Sequence, residues 1–271
     1  MPNRSPACFS EKRFYLPTRR EALLAALGSG VLGAAELPVR KPKVEILWKS
    51  PDGHPNALEA TEEGLWVGDQ VTDAAHLLDW RTGEVLRRVE TESYNTSGIA
   101  YGGGFLWLAA NGALKVRPRR PADGDDAEVL KVDRATGKTL ARFPLPGGAI
   151  HELNWAQNSL WITARGYGKL MHVDPDFHVL HTIPLKLGRA HGVVWDRGAV
   201  WVLFSNDWVI QRLDEEDGRV LEAFQLAKGA DPEPHGLALY RGCLYYPDAG
   251  MAGTRPSNGK YAGYICRFAI S

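Results

Sequence analysis

One internal repeat constrains this chain more than any other feature. A small or polar residue opens an apolar strand, a Gly- or Asn-containing turn follows, and a second strand is built around Trp or Tyr. Asn56-Ala57-Leu58 leads to Gly64-Leu65-Trp66-Val67, and Ser97-Gly98-Ile99 leads to Phe105-Leu106-Trp107-Leu108. His151-Glu152-Leu153 leads to Ser159-Leu160-Trp161-Ile162, His191-Gly192-Val193 to Ala199-Val200-Trp201-Val202, and His235-Gly236-Leu237 to Cys243-Leu244-Tyr245-Tyr246. The copies start at 56, 97, 151, 191 and 235, which are spacings of 41, 54, 40 and 44. A period of roughly 40 residues with about four short strands per unit is the pattern of propeller blades.

Each repeat continues into a second hairpin, such as His76-Leu77-Leu78-Asp79 before Thr82-Gly83, or Val129–Asp133 before Thr136-Gly137. Asp-x-x-Thr-Gly suits such turns because Asp and Gly accept the backbone angles required. The fifth repeat has only three strands after His235, ending in Tyr264-Ile265-Cys266-Arg267-Phe268. A spare strand, Val44-Glu45-Ile46-Leu47-Trp48, precedes the first repeat and completes the count as the outer strand of the last blade. That arrangement closes the ring and leaves no open edge. The expected fold is all-β: a five-bladed β-propeller closed by an N-terminal outer strand in the last blade, over residues 36–271. Trp66, Trp107, Trp161 and Trp201 repeat once per blade and are expected between sheets. Trp155 and Trp208 break that pattern, so one of them is a candidate for the channel mouth.

Residues 1–35 read as a twin-arginine signal peptide. Arg4, Lys12 and Arg13 supply a positive start, Thr18-Arg19-Arg20-Glu21 the arginine pair, Ala22–Ala35 a short apolar stretch, and Gly33-Ala34-Ala35 the small residues for cleavage. The apolar stretch is too short for a membrane span, which needs about 20 residues. A periplasmic or secreted protein, with no membrane association after cleavage, is therefore expected. With 32 basic and 32 acidic residues the chain has no net charge to bind nucleic acid. Cys8 leaves with the leader. Cys243 and Cys266 are expected opposite each other in the closing blade, either bridged or as two buried thiols.

Propeller inner strands start at one face, around the central channel. Asn56, Ser97, His151, His191 and His235 occupy those starts, so the repeat aims three imidazoles, an amide and a hydroxyl at one axis. Three histidines can hold a divalent transition metal (Zn, Mn, Ni or Fe) and leave a position open for water or substrate. They can equally form a polar ligand-binding rim, or hydrogen-bond across a crowded channel as structure alone. Glu152, one residue further on, is the candidate acid or base. Asn111, Arg165, Tyr167, Asn206 and Asp248 follow second strands on the same face and are candidate ligand contacts. So do two long loops, 111–127 and 249–262, the first with Lys115, Arg117, Arg119, Arg120, Asp123, Asp125 and Asp126. Long loops on a rigid scaffold are where specificity resides.

His235-Gly236-Leu237 and the Leu-Trp second strands resemble the streptogramin B lyase propellers. That resemblance implies His and Glu residues at the channel mouth acting with a divalent metal to open a ring. His151-Glu152-Leu153-Asn154-Trp155 and Asn56-Ala57-Leu58-Glu59 resemble the plant and bacterial type of glutaminyl cyclase, a five-bladed propeller that is often exported. Ser97 stands where the cyclases carry an acidic residue. There is no Gly-x-Ser-x-Gly elbow, phosphate loop or Cys-x-x-Cys.

The sequence thus points to an exported monomer whose channel mouth takes a small molecule or peptide. Its leading activity is a metal-assisted lyase or hydrolase, with non-catalytic binding and cyclotransfer as the other two readings.

Overall fold

Five sheets, each built on four antiparallel strands and one of them extended by a fifth, parallel strand, stand around a central axis in the computed structural model, which describes residues 37–112, 116–252 and 255–271. Blade 1 comprises Pro55–Ala60, Leu65–Asp69, Ala75–Leu78 and Val85–Val89; blade 2 comprises Thr96–Gly102, Phe105–Asn111, Ala127–Asp133 and Thr139–Pro144. Blade 3 runs Ile150–Ala156, Ser159–Ala164, Lys169–Val173 and Val179–Pro184, and blade 4 Ala190–Trp195, Ala199–Phe204, Val209–Asp214 and Val220–Gln225. Blade 5 is built from Ala238–Tyr240, Cys243–Pro247 and Tyr264–Ala269, and Glu45–Lys49 adds to its outer edge. The expected closure is therefore present, and Arg267 Nε binds Glu45 Oε2 across it at 2.9 Å. The leader and Cys8 lie outside the described residues. Among those residues no helix is long and apolar enough to cross a membrane.

The repeat explains these sheets. Trp66, Trp107, Trp161 and Trp201 are 0, 1, 2 and 1% exposed, so each fills the space between neighbouring blades. Truncating such a side chain to Ala typically costs about 3–5 kcal/mol. The outer hairpins turn where predicted. Asp79 Oδ1 accepts from the backbone N–H groups of Arg81 and Thr82, and Gly83 sits at φ +73°. Asp133 repeats this with Ala135, Thr136 and Gly137, and Asp214 uses the same geometry ahead of Gly218.

Three features differ from the sequence expectation. Val39–Arg40 adds to blade 4 as a fifth strand, parallel to Val220–Gln225; Arg40 lies 4.3 Å over the Phe224 ring and pairs with Glu222. The segment before Glu45 thus straps blade 4 to blade 5. Secondly, the cysteines are not opposite each other: Cys243 faces Ala269, Cys266 faces Tyr246, and both thiols are free. Asp248 pairs with Gly263 and Tyr264 through the backbone, and this shifts the register away from a hairpin centred on 254 and 255. Thirdly, neither irregular tryptophan reaches the histidine end. Trp155 stacks on Trp107 (5.6 Å) and lines a hollow at the opposite end of the channel, while Trp208 packs into the core.

Candidate site at the channel mouth

The repeat aims its first side chains inward by a common device. In blades 1 to 4 the pairing of first and second strands slips at Pro55/Ala57, Thr96/Gly98, Ile150/Glu152 and Ala190/Val193. Asn56, Ser97, His151 and His191 sit in those bulges. An extra residue in one strand of a pair leaves the ladder and re-aims its side chain, here towards the mouth for Asn56, His151 and His191 and onto the Ile150 carbonyl for Ser97. In blade 5 the ladder begins only at Ala238, and His235 is held by its N–H to Pro247 O at 3.1 Å.

A second tier lies two residues earlier. Asn95, Ala149 and Arg189 all have positive φ (50°, 44° and 53°). Their carbonyls accept from the N–H of Asn111, Arg165 and Ser205 at the ends of the second strands. Such angles cost a non-glycine residue roughly 1 kcal/mol or more, and they turn these side chains to the mouth.

The result is a cavity of about 510 Å³ lined by Asn56, Gln70, Asn95, Asn111, Val116, Ala149, His151, Arg165, Arg189, His191, Asn206, His235 and Met251. Seven predicted residues meet there: Asn56, Asn111, Arg165, Asn206, His151, His191 and His235. Four do not line it. Ser97 is fully buried and donates to Ile150 O; Tyr167 donates to Pro146 O; the Asp248 carboxylate accepts from Glu233 and Gly250 N–H.

The fourth, Glu152, was expected to be an acid or base. Its carboxyl group is 0% exposed and accepts from the backbone N–H groups of Ile99 (2.9 Å), Leu153 (3.2 Å), Leu237 (3.3 Å) and, at a long 3.5 Å, Leu58. It binds the inner edges of blades 1, 2, 3 and 5 to one another. Blade 3 carries a carboxyl where blades 2, 4 and 5 carry glycine, and no other side chain competes for the axis. Glu152 is thus a plug of the channel, walled off from the cavity. Glu59 and Asn154 continue the plug: Asn154 Nδ2 donates to Glu59 Oε2, and Asn154 Oδ1 accepts from Trp195 N–H.

The three histidines are 6, 1 and 4% exposed in chain order. The His151 and His191 rings lie 4.5 Å apart at 31°, and His191 and His235 4.9 Å apart at 83°. Burial, then the Arg189 charge, pushes His151 down to about 3 and His235 down to about 4; burial, then His151, holds His191 well below its ordinary range. All three are neutral near pH 7, so each ring offers one donor and one acceptor.

Several of these groups have nothing to bind. Both ring nitrogens of His151, Nδ1 of His191, Oδ1 of Asn56, Oδ1 of Asn111 and Oγ of Ser205 are buried without a hydrogen-bond partner. Neutral imidazoles are suitable metal donors in chemistry. Their arrangement is another matter: among the described residues no group of three or more His, Cys, Asp or Glu side chains is placed to hold a metal ion. The rings meet face and edge, and no carboxylate is among the lining residues.

From Val116 onwards the long loop on this face is docked by ion pairs. Arg117 bridges the buried Asp73 (2.6 Å) and Asp123 (2.7 Å), and Asp73 also accepts from Thr96 N–H and Oγ1–H. The basic and acidic runs of the loop thus neutralise each other and fix Val116 at the cavity wall.

The architecture has solved counterparts. Glutaminyl cyclase from Myxococcus xanthus superposes with a TM-score of 0.59 at 12% identity, covering 87% of this chain and all of that one. A catalytically inactive virginiamycin B lyase from Staphylococcus aureus with quinupristin gives 0.50 at 12% identity, covering 84% of this chain and 99% of that one. A further streptogramin B lyase structure gives 0.49 at 15% identity. At these identities the likeness is one of fold. No family model matches the sequence, and the search of curated proteins returned no match.

The sequence reading overlooked Gln70, Asn95 and Arg189. Counting back two residues from each ring position would have found Asn95 and Arg189, because the repeat brings His54, Asn95, Ala149, Arg189 and Glu233 to equivalent places.

Proposed function

We propose that this protein is a binding propeller whose channel mouth captures a small polar molecule. One observation carries the reading: the buried, unpartnered polar atoms of Asn56, Asn111, His151 and His191 gather at a single cavity. Each such atom costs about 1–3 kcal/mol when left unsatisfied, and native proteins keep that cost where a ligand or water repays it. The test is a fragment screen followed by imidazole NMR resonances of the wild type and of His191→Ala. Hits that shift the His151, His191 and His235 signals support the reading, and a screen without such shifts retires it.

A metal-assisted lyase or hydrolase is the second reading, favoured by three adjacent imidazoles held neutral. Its measure is metal content of the untagged protein beside His191→Ala: near-stoichiometric Zn, Mn, Ni or Fe lost in the variant would favour it over plain binding. A glutaminyl peptide belongs in the same screen because of the cyclase-like fold, and release of ammonia would redirect the reading to cyclotransfer.

Export is part of the proposal. Replacing Arg19 and Arg20 by Lys in the full chain should retain the protein in the cytoplasm, whereas unchanged export would remove the twin-arginine reading. The working form is proposed to be a monomer, which light scattering of the exported protein would check.

A further inference from the structure

We propose that the molecule taken at this mouth is an organic acid, its oxyanion group (a carboxylate or a phosphate ester) held by Arg165 and Arg189. The inference rests on the mouth being a binding site and adds the chemical class of its ligand.

Among the described residues, Arg165 and Arg189 are the charged ones lining the cavity, and no Asp or Glu lines it. Among the described residues neither guanidinium makes an ion pair or a side-chain hydrogen bond. Most of the other described arginines are paired, as with Arg88 and Asp52, Arg117 and Asp123, or Arg267 and Glu45. Arg189 is half-buried, and both its burial and the Arg165 charge weigh against its own charge. Glu233 lies near enough to offset this in part, without forming an ion pair. Its own carboxyl is disfavoured as an anion by burial and by Asp248. A half-buried guanidinium at Arg189 and an exposed one at Arg165, like charges facing one cavity, form an arrangement that an anion would stabilise.

The remaining polar lining offers N–H donors: the amides of Asn56, Gln70, Asn95, Asn111 and Asn206 and one N–H on each neutral imidazole. His151 and His191 are at least nine-tenths buried and have ring nitrogens without partners. A guanidinium fork matches the two oxygens of a carboxylate or phosphate in one plane, and the amides and imidazoles can complete the shell.

Size selects an organic acid over an inorganic ion. The cavity of about 510 Å³ has Val116, Ala149 and Met251 among its walls. Pockets of this size take organic molecules, with apolar walls against the body and a few polar groups fixing its orientation.

Calorimetry at constant ionic strength, with benzoate, phenyl phosphate, inorganic phosphate and benzamide as probes, tests this on the full mature chain. Benzoate or phenyl phosphate should bind at least tenfold more tightly than benzamide, the uncharged counterpart of benzoate. Which acid binds better distinguishes carboxylate from phosphate ester, and inorganic phosphate binding as well as phenyl phosphate would overturn the organic part. Arg189→Ala and Arg165→Ala should each weaken the preferred acid about tenfold or more, as loss of a charge-assisted hydrogen bond does. Arg189→Lys should recover part, and Arg81→Ala, an exposed cation on blade 1, should change nothing. Wild-type circular dichroism in each variant shows that folding is intact. Benzamide binding as well as benzoate, or acid binding indifferent to both arginines, overturns the inference while leaving the site a binding site. No probe of any charge shifting the His151, His191 or His235 resonances would sink both.

Discussion

A Cβ placed on Gly236 would lie 2.6 Å from Oε2 of Glu152 and 2.9 Å from Cα of Ala57. Blades 1, 3 and 5 therefore meet at the channel axis with no room for even a methyl group. The glycine of the His-Gly step is what lets the carboxyl group of blade 3 reach the backbone N–H groups of its neighbours.

Gly236→Ala should accordingly destabilise the protein by about 1–3 kcal/mol, the usual cost of overpacking, since a backbone atom and a hydrogen-bonded carboxyl are the neighbours displaced. Urea unfolding of the variant measures it. A change within 0.5 kcal/mol would mean that the inner strands separate more easily than this contact implies.

Glu152→Ala leaves at least three buried N–H groups without an acceptor and should cost about 3 kcal/mol or more. Glu152→Gln, which keeps one acceptor oxygen, should cost less. Thermal unfolding separates the structural from the chemical role: an alanine variant with unchanged melting that had lost only activity would return Glu152 to the list of reacting groups.

Acid should weaken the fold from about pH 6.5 downwards. His151 and His235 fall to about 3 and about 4 in the folded chain, against about 6.5 in an unfolded one. The unfolded state therefore binds more protons between pH 6.5 and those values, so stability is full above pH 6.5 and is lost as pH falls. Glu59 and Glu152, raised by burial, act in the opposite sense above the ordinary carboxylate range. Comparing wild type with His235→Asn cancels their contribution. The variant should show a shallower decline in unfolding free energy between pH 6.5 and 4, and parallel curves would contradict neutral imidazoles.

Both thiols should remain free after air oxidation. Cys243 faces Ala269 and Cys266 faces Tyr246, and the Cys266 thiol is held protonated, its pKa raised chiefly by burial. Thiol titration should find Cys243 reacting in the folded protein and Cys266 only after denaturation. A monomer with no titratable thiol would show that the register changes in solution.

The meeting of Asn56, His151, His191 and His235 was legible because one repeat position recurs in every blade, and symmetry turns recurrence into proximity; Ser97, at the same position, bonds to the Ile150 carbonyl instead. Arg189 went unread because only the first residue of each repeat was followed; it stands two residues earlier, in a left-handed turn that directs it to the mouth. Glu152 was visible but its role was not: whether a carboxyl at the axis faces solvent or four N–H groups depends on the glycines of other blades. The cysteine register failed for a related reason, since Asp248, Gly263 and Tyr264 set the pairing from inside the loop. The strap Val39–Arg40 is two residues long, too short to carry a periodic signal.

The bond from Arg267 to Glu45 joins residues 222 positions apart. Contacts so distant in sequence form late, because the intervening chain must be ordered before the ends meet. Four blades can assemble from neighbouring hairpins, but the fifth waits for the final strand. Closure thus acts as a checkpoint on completeness: a chain released before Tyr264 would leave Glu45–Lys49 with nothing to pair, and no ring would form.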